Sequence, residues 1–228
     1  MANPIIGVTA NLVRDDKGRP RHEVKHTYIT AVLRAGGTPI ILPAIASSRA
    51  AMLRLVDGII MTGGDDIDTR PFGVALHEHA QIMDGDRQAA EIALLDALAH
   101  HRTLPVLGIC LGMQLMGVHA GCELIQHIHD HKPNGDRHRF DNVHPVESSI
   151  GSGDVASWHH QALADAGTFE AIGWSDDGIL EAIRDAGKPF YVGVQWHPER
   201  TRDATMGDGV IAQLIAAARI HAQSTERA

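Results

Sequence analysis

Short apolar runs alternate along the chain with stretches whose apolar positions recur at helical spacing, the pattern of a largely parallel sheet faced by helices. Ile5–Thr9 reads as the first strand. Lys25–Leu33 is predicted to be a helix that stops at Gly36-Gly37, and Pro39–Leu42 is the next strand. Asp57–Met61 is a further buried strand. The helix signal is strongest over Asp86–His100, which combines an acidic first turn with alanine and leucine at helical spacing. Leu104–Ile109 then reads as a strand and Leu111–Ala120 as a helix closed by Gly121. From Asp130 to Gly153 the chain turns to His, Asp, Asn, Gly and Pro, which predicts irregular structure or short antiparallel strands. Gly178–Ile183 and Phe190–Gln195 read as strands, and Gly209–Ile220 as a last helix. No repeat, low-complexity tract or interdomain linker interrupts this order, so one α/β domain over residues 1–228 is expected.

Composition narrows the partners. With 228 residues, a formal charge of −8 and scattered Lys and Arg, the chain offers no general attraction to nucleic acid or to an anionic membrane, and a small-molecule partner is favoured. The opening MANPIIGVTANLVRD lacks a basic segment followed by a long apolar core, and no apolar run approaches the roughly 18 residues of a membrane span. A cytoplasmic protein with reduced thiols is therefore expected, and its two cysteines, Cys110 and Cys122, are too few for a disulfide framework.

Candidate chemistry centres on Gly108-Ile109-Cys110-Leu111-Gly112, the thiol counterpart of a G-x-S-x-G nucleophile elbow between strand and helix. A cysteine at a helix N-terminus meets unpaired N–H groups and the positive end of the helix dipole, which favour thiolate, and the Leu111 N–H is placed to meet an oxyanion. Far along the chain, Val194-Gln195-Trp196-His197-Pro198-Glu199 follows another apolar strand. Proline holds His197 extended, so positions 197 and 199 project to one side and the carboxylate can orient the imidazole. Met61-Thr62-Gly63-Gly64-Asp65-Asp66 also follows a strand, and its glycines could supply a second oxyanion donor or merely a turn. Nucleophile, oriented base and oxyanion donors on three strand ends are the parts of covalent acyl transfer.

These motifs, in order, resemble the class I glutamine amidotransferase superfamily and within it the γ-glutamyl hydrolase branch. The resemblance is carried by RAGGTPIILP (34–43), DGIIMTGGDDIDTRPFG (57–73), DGDRQAAEIALLDA (84–97), PVLGICLGMQLM (105–116), SWHHQA (157–162) and GVQWHPE (193–199). It implies a flavodoxin-like α/β sandwich around a mostly parallel sheet, and a Cys110, His197, Glu199 triad that cleaves γ-glutamyl amides of small amines, such as γ-glutamyl-γ-aminobutyrate, through a thioester. By the same resemblance Gly64 and Leu111 supply oxyanion N–H groups, while Gly63, Gln114, Ser157, His159 and His160 belong to the substrate pocket. The signature of Asp84, Asp86, Arg87 and Glu91 points to the hydrolase branch rather than to dedicated amidotransferase subunits. The segment before SWHHQ is shorter than is usual in that branch and carries Ala156 where asparagine is usual. No cofactor is implied, and a homodimer is possible within the family.

Two rivals stand beside this reading. One is a glutaminase subunit that supplies ammonia to a synthase partner, and the other a non-catalytic γ-glutamyl-binding or metal-binding protein. Sixteen histidines raise the metal question, chiefly His127, His129 and His131, which would share a face if their segment were a strand, with His138 and His144 beyond. No cysteine or ordered carboxylate completes that set, and no metal is expected. His77-Glu78-His79 reads as a solvated helix start, Asp65, Asp66 and Asp68 as polar loop residues, Tyr28 and Trp196 as packing or pocket walls, and Cys122 as a small buried residue.

Overall fold

The computed structural model describes residues 2–225. In chain order the strands and helices begin with β1 (Ile5–Thr9), β2 (Asn11–Arg14), β3 (Pro20–Glu23), α1 (His26–Arg34), β4 (Thr38–Leu42), α2 (Arg49–Met52) and β5 (Gly58–Met61). They continue with α3 (Gly85–Leu98), β6 (Val106–Ile109), α4 (Leu111–His119), β7 (Leu124–Ile125), β8 (Asn142–Ser148) and β9 (Gly151–Ser157). The last are β10 (Ala162–Leu163), β11 (Glu170–Ser175), β12 (Leu180–Arg184), β13 (Tyr191–Val194) and α5 (Asp208–Thr225).

Nine strands form one sheet in the order β4-β1-β5-β6-β13-β12-β11-β8-β9. The first five are mutually parallel, and counted along the chain their order is 2-1-3-4-5, the flavodoxin-like arrangement. From β13 outward every pairing is antiparallel, so seven of the nine strands still point the same way. The β8–β9 hairpin realises the antiparallel alternative predicted for the His- and Gly-rich region, after a short 3-10 turn at Gly135–His138.

Alternation within the buried strands makes the layers. Ile60, Leu107, Ile109, Val192 and Val194 face α1 and α5, where Val32, Ile211, Leu214 and Ile215 pack against them. Ile59, Met61, Val106 and Tyr191 face the other way, against Leu94, Leu95 and Leu98 of α3 and Leu111, Leu115 and Met116 of α4. Helices on both faces of the sheet give the expected three-layer α/β sandwich. Helix α4 is buried at every position from Leu111 to Val118. The N-terminus of α3 is capped by Asp84, whose carboxylate accepts from the Asp86 N–H at 2.9 Å. Among the described residues no helix is long and apolar enough to cross a membrane.

The histidine segment is a 3-10 turn over Ile128–Asp130, so the shared face that a strand would have given His127, His129 and His131 does not form. One expectation is corrected. His77-Glu78-His79 lies in a turn, six residues before α3 begins at Gly85. The β2–β3 hairpin and β11 carry no signal in the apolar pattern. Pro20–Glu23 is exposed throughout and has no apolar alternation, and β11 is broken by register shifts about Gly173.

Candidate active site

The C-terminal ends of β5, β6 and β13 lie side by side and deliver their loops to one place, as expected for a ligand site in an open α/β sheet. Cys110 follows β6 directly and adopts φ 53°, ψ −106°, a conformation that a residue with a Cβ rarely takes. Such strain survives only where the surroundings enforce it. Here the Cys110 N–H donates to the Val194 carbonyl at 2.8 Å, and the Cys110 carbonyl accepts from the Gln114 N–H at 3.1 Å. The flanking glycines have a steric cause. A Cβ on Gly108 would collide with Met116 Sδ, and one on Gly112 would collide with the Met61 carbonyl oxygen.

His197 and Glu199 leave β13 through Pro198, and His197 Nδ1 meets Glu199 Oε1 at 2.9 Å with both residues buried. The His197 N–H donates to the Ala156 carbonyl at 3.0 Å, which fixes its backbone to β9. Burial alone would lower the imidazole pKa, but the Glu199 carboxylate and the Cys110 sulfur outweigh it and push His197 up to about 9. Burial works against the Glu199 carboxylate too, yet the neighbouring imidazole holds its pKa below the usual value.

The Thr62–Gly64 loop is held from beneath by Arg87 of α3, which is fully buried. Its guanidinium donates to the Gly63 carbonyl at 3.0 Å, to Thr62 Oγ1 at 3.2 Å and to Asn11 Oδ1 at 2.8 Å. Buried Glu91, one helical turn on, lies 3.9 Å from Arg87 Nε and 3.7 Å from Arg49 Nη2, so the two cations share one carboxylate. Arg87 stands out in the sequence only through its motif; its grip on the glycine loop depends on tertiary packing. Tyr28 of α1 takes the Gly63 N–H on its hydroxyl at 3.0 Å. The N–H groups of Gly64 and Leu111 have no hydrogen-bond partner among the described residues.

Two cavities, of about 390 and 210 Å³, meet at Cys110, Gly64, Asp65 and Trp158. The larger is bounded by Asn11, Lys25, Tyr28, Gly63, His197 and Arg200. The smaller is bounded by Asp66, His79, Gln114, Arg139, His159 and His160. Gln114 donates to the Gln161 carbonyl at 3.0 Å and to Gln195 Oε1 at 3.2 Å, and His160 Nε2 lies 2.9 Å from Asp66 Oδ2. Ser157 lies outside both cavities. It is fully buried, and its hydroxyl donates to the His138 carbonyl at 3.1 Å, so it braces the segment that carries Trp158. The His159 ring is buried and reaches a cluster around Glu181, with Nε2 3.7 Å from its Oε1. Trp196 is core, with its indole N–H on the Met206 carbonyl at 2.9 Å, and Cys122 is buried against Gly167.

The model of the peptidase C26 family matches residues 4–199. The chain belongs to that family. This peptidase C26 chain has a relative in Mycobacterium tuberculosis, named "putative glutamine amidotransferase", that is 32% identical over 221 residues, covering 89% of this chain and 71% of that protein. The γ-glutamyl-γ-aminobutyrate hydrolase of Escherichia coli K12 is 29% identical over 232 residues, with 87% of each chain covered. Among solved structures, a Thermoplasma acidophilum protein described as a "putative GMP synthase" component superposes with a TM-score of 0.70 over 99% of both chains at 15% identity. That likeness concerns the fold. The family and the names of its relatives support an amide-hydrolysing enzyme.

Proposed function

We propose that this protein hydrolyses the γ-glutamyl amide bond of small γ-glutamyl amines, with Cys110 as nucleophile. The observation that carries the reading is the strained Cys110 backbone at the end of β6, beside a His197–Glu199 pair 2.9 Å apart on the neighbouring strand. The sulfur attacks the γ-carbonyl, forming a C–S bond while the carbonyl oxygen takes the negative charge. The unpartnered N–H groups of Gly64 and Leu111 receive that oxyanion. The imidazolium of His197 gives its proton to the leaving nitrogen, the C–N bond breaks, and a γ-glutamyl thioester remains. Neutral His197 then takes a proton from water, hydroxide adds to the thioester, and glutamate departs as the sulfur regains its electron pair. Glu199 keeps the imidazole in one orientation throughout.

The substrate class is supported by the name of the E. coli relative and by two cavities that flank the sulfur, one for each side of the scissile bond. Incubation with a panel of γ-glutamyl amides and glutamine, with release of free glutamate measured, tests it. Turnover of γ-glutamyl amines well above that of glutamine is expected. Low glutaminase activity that rises only on addition of a synthase partner would instead establish the ammonia-supplying reading that the M. tuberculosis relative's name carries.

The raised His197 pKa gives the reaction a pH signature. The proton that the leaving amine needs is held until the pH passes about 9, so kcat/KM is expected to decline through that range. In Glu199→Gln the carboxylate that retains the proton is gone, and the decline should move to lower pH. A limb that stays in place in that variant contradicts the assignment. Stability follows the same sign: the folded pKa lies above the ordinary 6.5, so the pair stabilises fully below that pH and progressively less as pH rises through about 9.

A further inference from the structure

On the far side of the Trp158 segment, three imidazoles converge on one carboxylate oxygen. Glu181 of β12 is fully buried, and its Oε1 lies 3.2 Å from His144 Nε2, 3.4 Å from His138 Nδ1 and 3.7 Å from His159 Nε2. The three histidines are buried as well. They come from β8, from the 3-10 turn before it and from the loop after β9, so the cluster ties four separate segments together.

Two of the imidazoles have one nitrogen committed elsewhere. His159 Nδ1 lies 2.9 Å from the Gln161 carbonyl, which only accepts, so that nitrogen carries the hydrogen and a neutral ring turns its Nε2 lone pair toward Glu181. His138 Nε2 lies 3.1 Å from Asp177 Oδ2, and Asp177 is fixed by the Ser175 hydroxyl, so a neutral His138 ring likewise turns its Nδ1 lone pair toward Glu181. Neither inward nitrogen makes a hydrogen bond, nor does the second oxygen of Glu181. Lone pairs aimed at a carboxylate repel it unless a positive charge stands between them. The distances discriminate further. An N–H bonded to a carboxylate sits at about 2.7–2.9 Å. Ligand atoms about 2.0–2.1 Å from a tetrahedral zinc ion stand about 3.3–3.4 Å from one another, close to the 3.2 and 3.4 Å that separate His144 and His138 from the Glu181 oxygen.

We propose that His138, His144 and Glu181, with His159 as the fourth ligand, form a buried structural site for a divalent transition metal of the zinc type. The ligand atoms of the first three already lie within 4.8 Å of one another, and His159 Nε2, 3.7 Å from the same carboxylate oxygen, moves inward to join them. Three imidazoles and a carboxylate suit Zn²⁺, which imposes no geometry of its own. Asp177 on His138 and the Gln161 carbonyl on His159 are the outer partners that hold metal-bound imidazoles in orientation. The site is closed, so its work is structural. It fastens the segment whose Trp158 carbonyl lies 3.8 Å from Cys110 Sγ, because His159 and Ser157 both bond the His138 carbonyl.

The site is separate from the partly exposed rings of His127 and His129, which stack 5.0 Å apart and could hold adventitious metal. The test therefore uses a His127→Ala/His129→Ala chain. This chain is folded with Zn²⁺, passed through gel filtration and analysed for metal by mass spectrometry, and its melting is compared with the same chain folded without metal. One zinc ion per chain and a Tm raised by several degrees are expected. Adding His144→Ala or Glu181→Gln should remove the bound zinc, and folding with Co²⁺ should give the visible absorption of four-coordinate cobalt only while both ligands are present. If the His127→Ala/His129→Ala chain carries no zinc and its Tm ignores the metal, protons rather than a cation fill the cluster and the proposal fails, whatever the other variants do. Metal content is read independently of turnover, so this outcome does not bear on the hydrolase reading.

Discussion

Cys110→Ser protein is expected to release glutamate from its best γ-glutamyl amide at least about 10⁴-fold more slowly than the wild type, while keeping the same melting temperature within a few degrees. Serine fits the elbow, since oxygen is smaller than sulfur and the backbone at φ 53° is held by the Val194 and Gln114 contacts rather than by the side chain. What changes is the chemistry. A hydroxyl gives up its proton far less readily than a thiol, so the variant lacks an ionised nucleophile, and the sulfur that helps to raise the His197 pKa is gone as well. His197→Ala should lose activity on a similar scale and the double variant little more, because nucleophile and base act as one unit. Glu199→Ala should lose less. Equal glutamate release by wild type and Cys110→Ser in steady-state assays would remove the nucleophile assignment.

Gly112→Ala is expected to damage both fold and turnover through one methyl group. Gly112 lies in the first turn of α4, and an added Cβ would press on the carbonyl oxygen of Met61 at the end of β5, with Met61 Cβ at 2.9 Å. Both sites are buried, so the helix must lift from the strand. Overpacking of this kind costs about 1–3 kcal/mol, or about 2–12 °C in Tm for a chain of this size. Because Cys110 rides on the same turn, displacement by about 1 Å should lower kcat/KM by about 10²-fold. Gly85→Ala at the start of α3 is the control: a Cβ there meets nothing within 4 Å, and neither quantity should fall. Thermal melting and steady-state kinetics on the two variants decide the matter, and matched behaviour would mean that Gly112 is not a packing requirement.

Much of the fold and site is legible in the sequence because the information is local. The elbow, the His-x-Glu pair and the glycine loop are each short, and each follows an apolar run that predicts a buried strand, so their meeting at one sheet edge follows from topology alone. Arg87 shows the limit. Its motif marks it, but nothing near it in sequence says that it holds the Gly63 carbonyl 24 residues earlier. The substrate-side residues divide for the same reason. His159 and His160 both border the smaller cavity, but the His159 ring also meets Glu181, and Ser157, in the same SWHHQ run, turns inward to the His138 carbonyl. The Glu181 cluster is invisible as spacing, since its members lie at positions 138, 144, 159 and 181 and only the antiparallel half of the sheet gathers them. The β2–β3 hairpin escapes because an exposed ribbon needs no apolar alternation.

Helix α4, buried along almost its whole length, gives the elbow one more property. Amides of such a helix exchange with solvent only when the domain as a whole opens, unlike those of surface helices, which fray and breathe locally. The unfavourable backbone angle at Cys110 is thus anchored to the slowest-opening part of the molecule. Cys110 can then leave its strained backbone only as that buried helix itself opens.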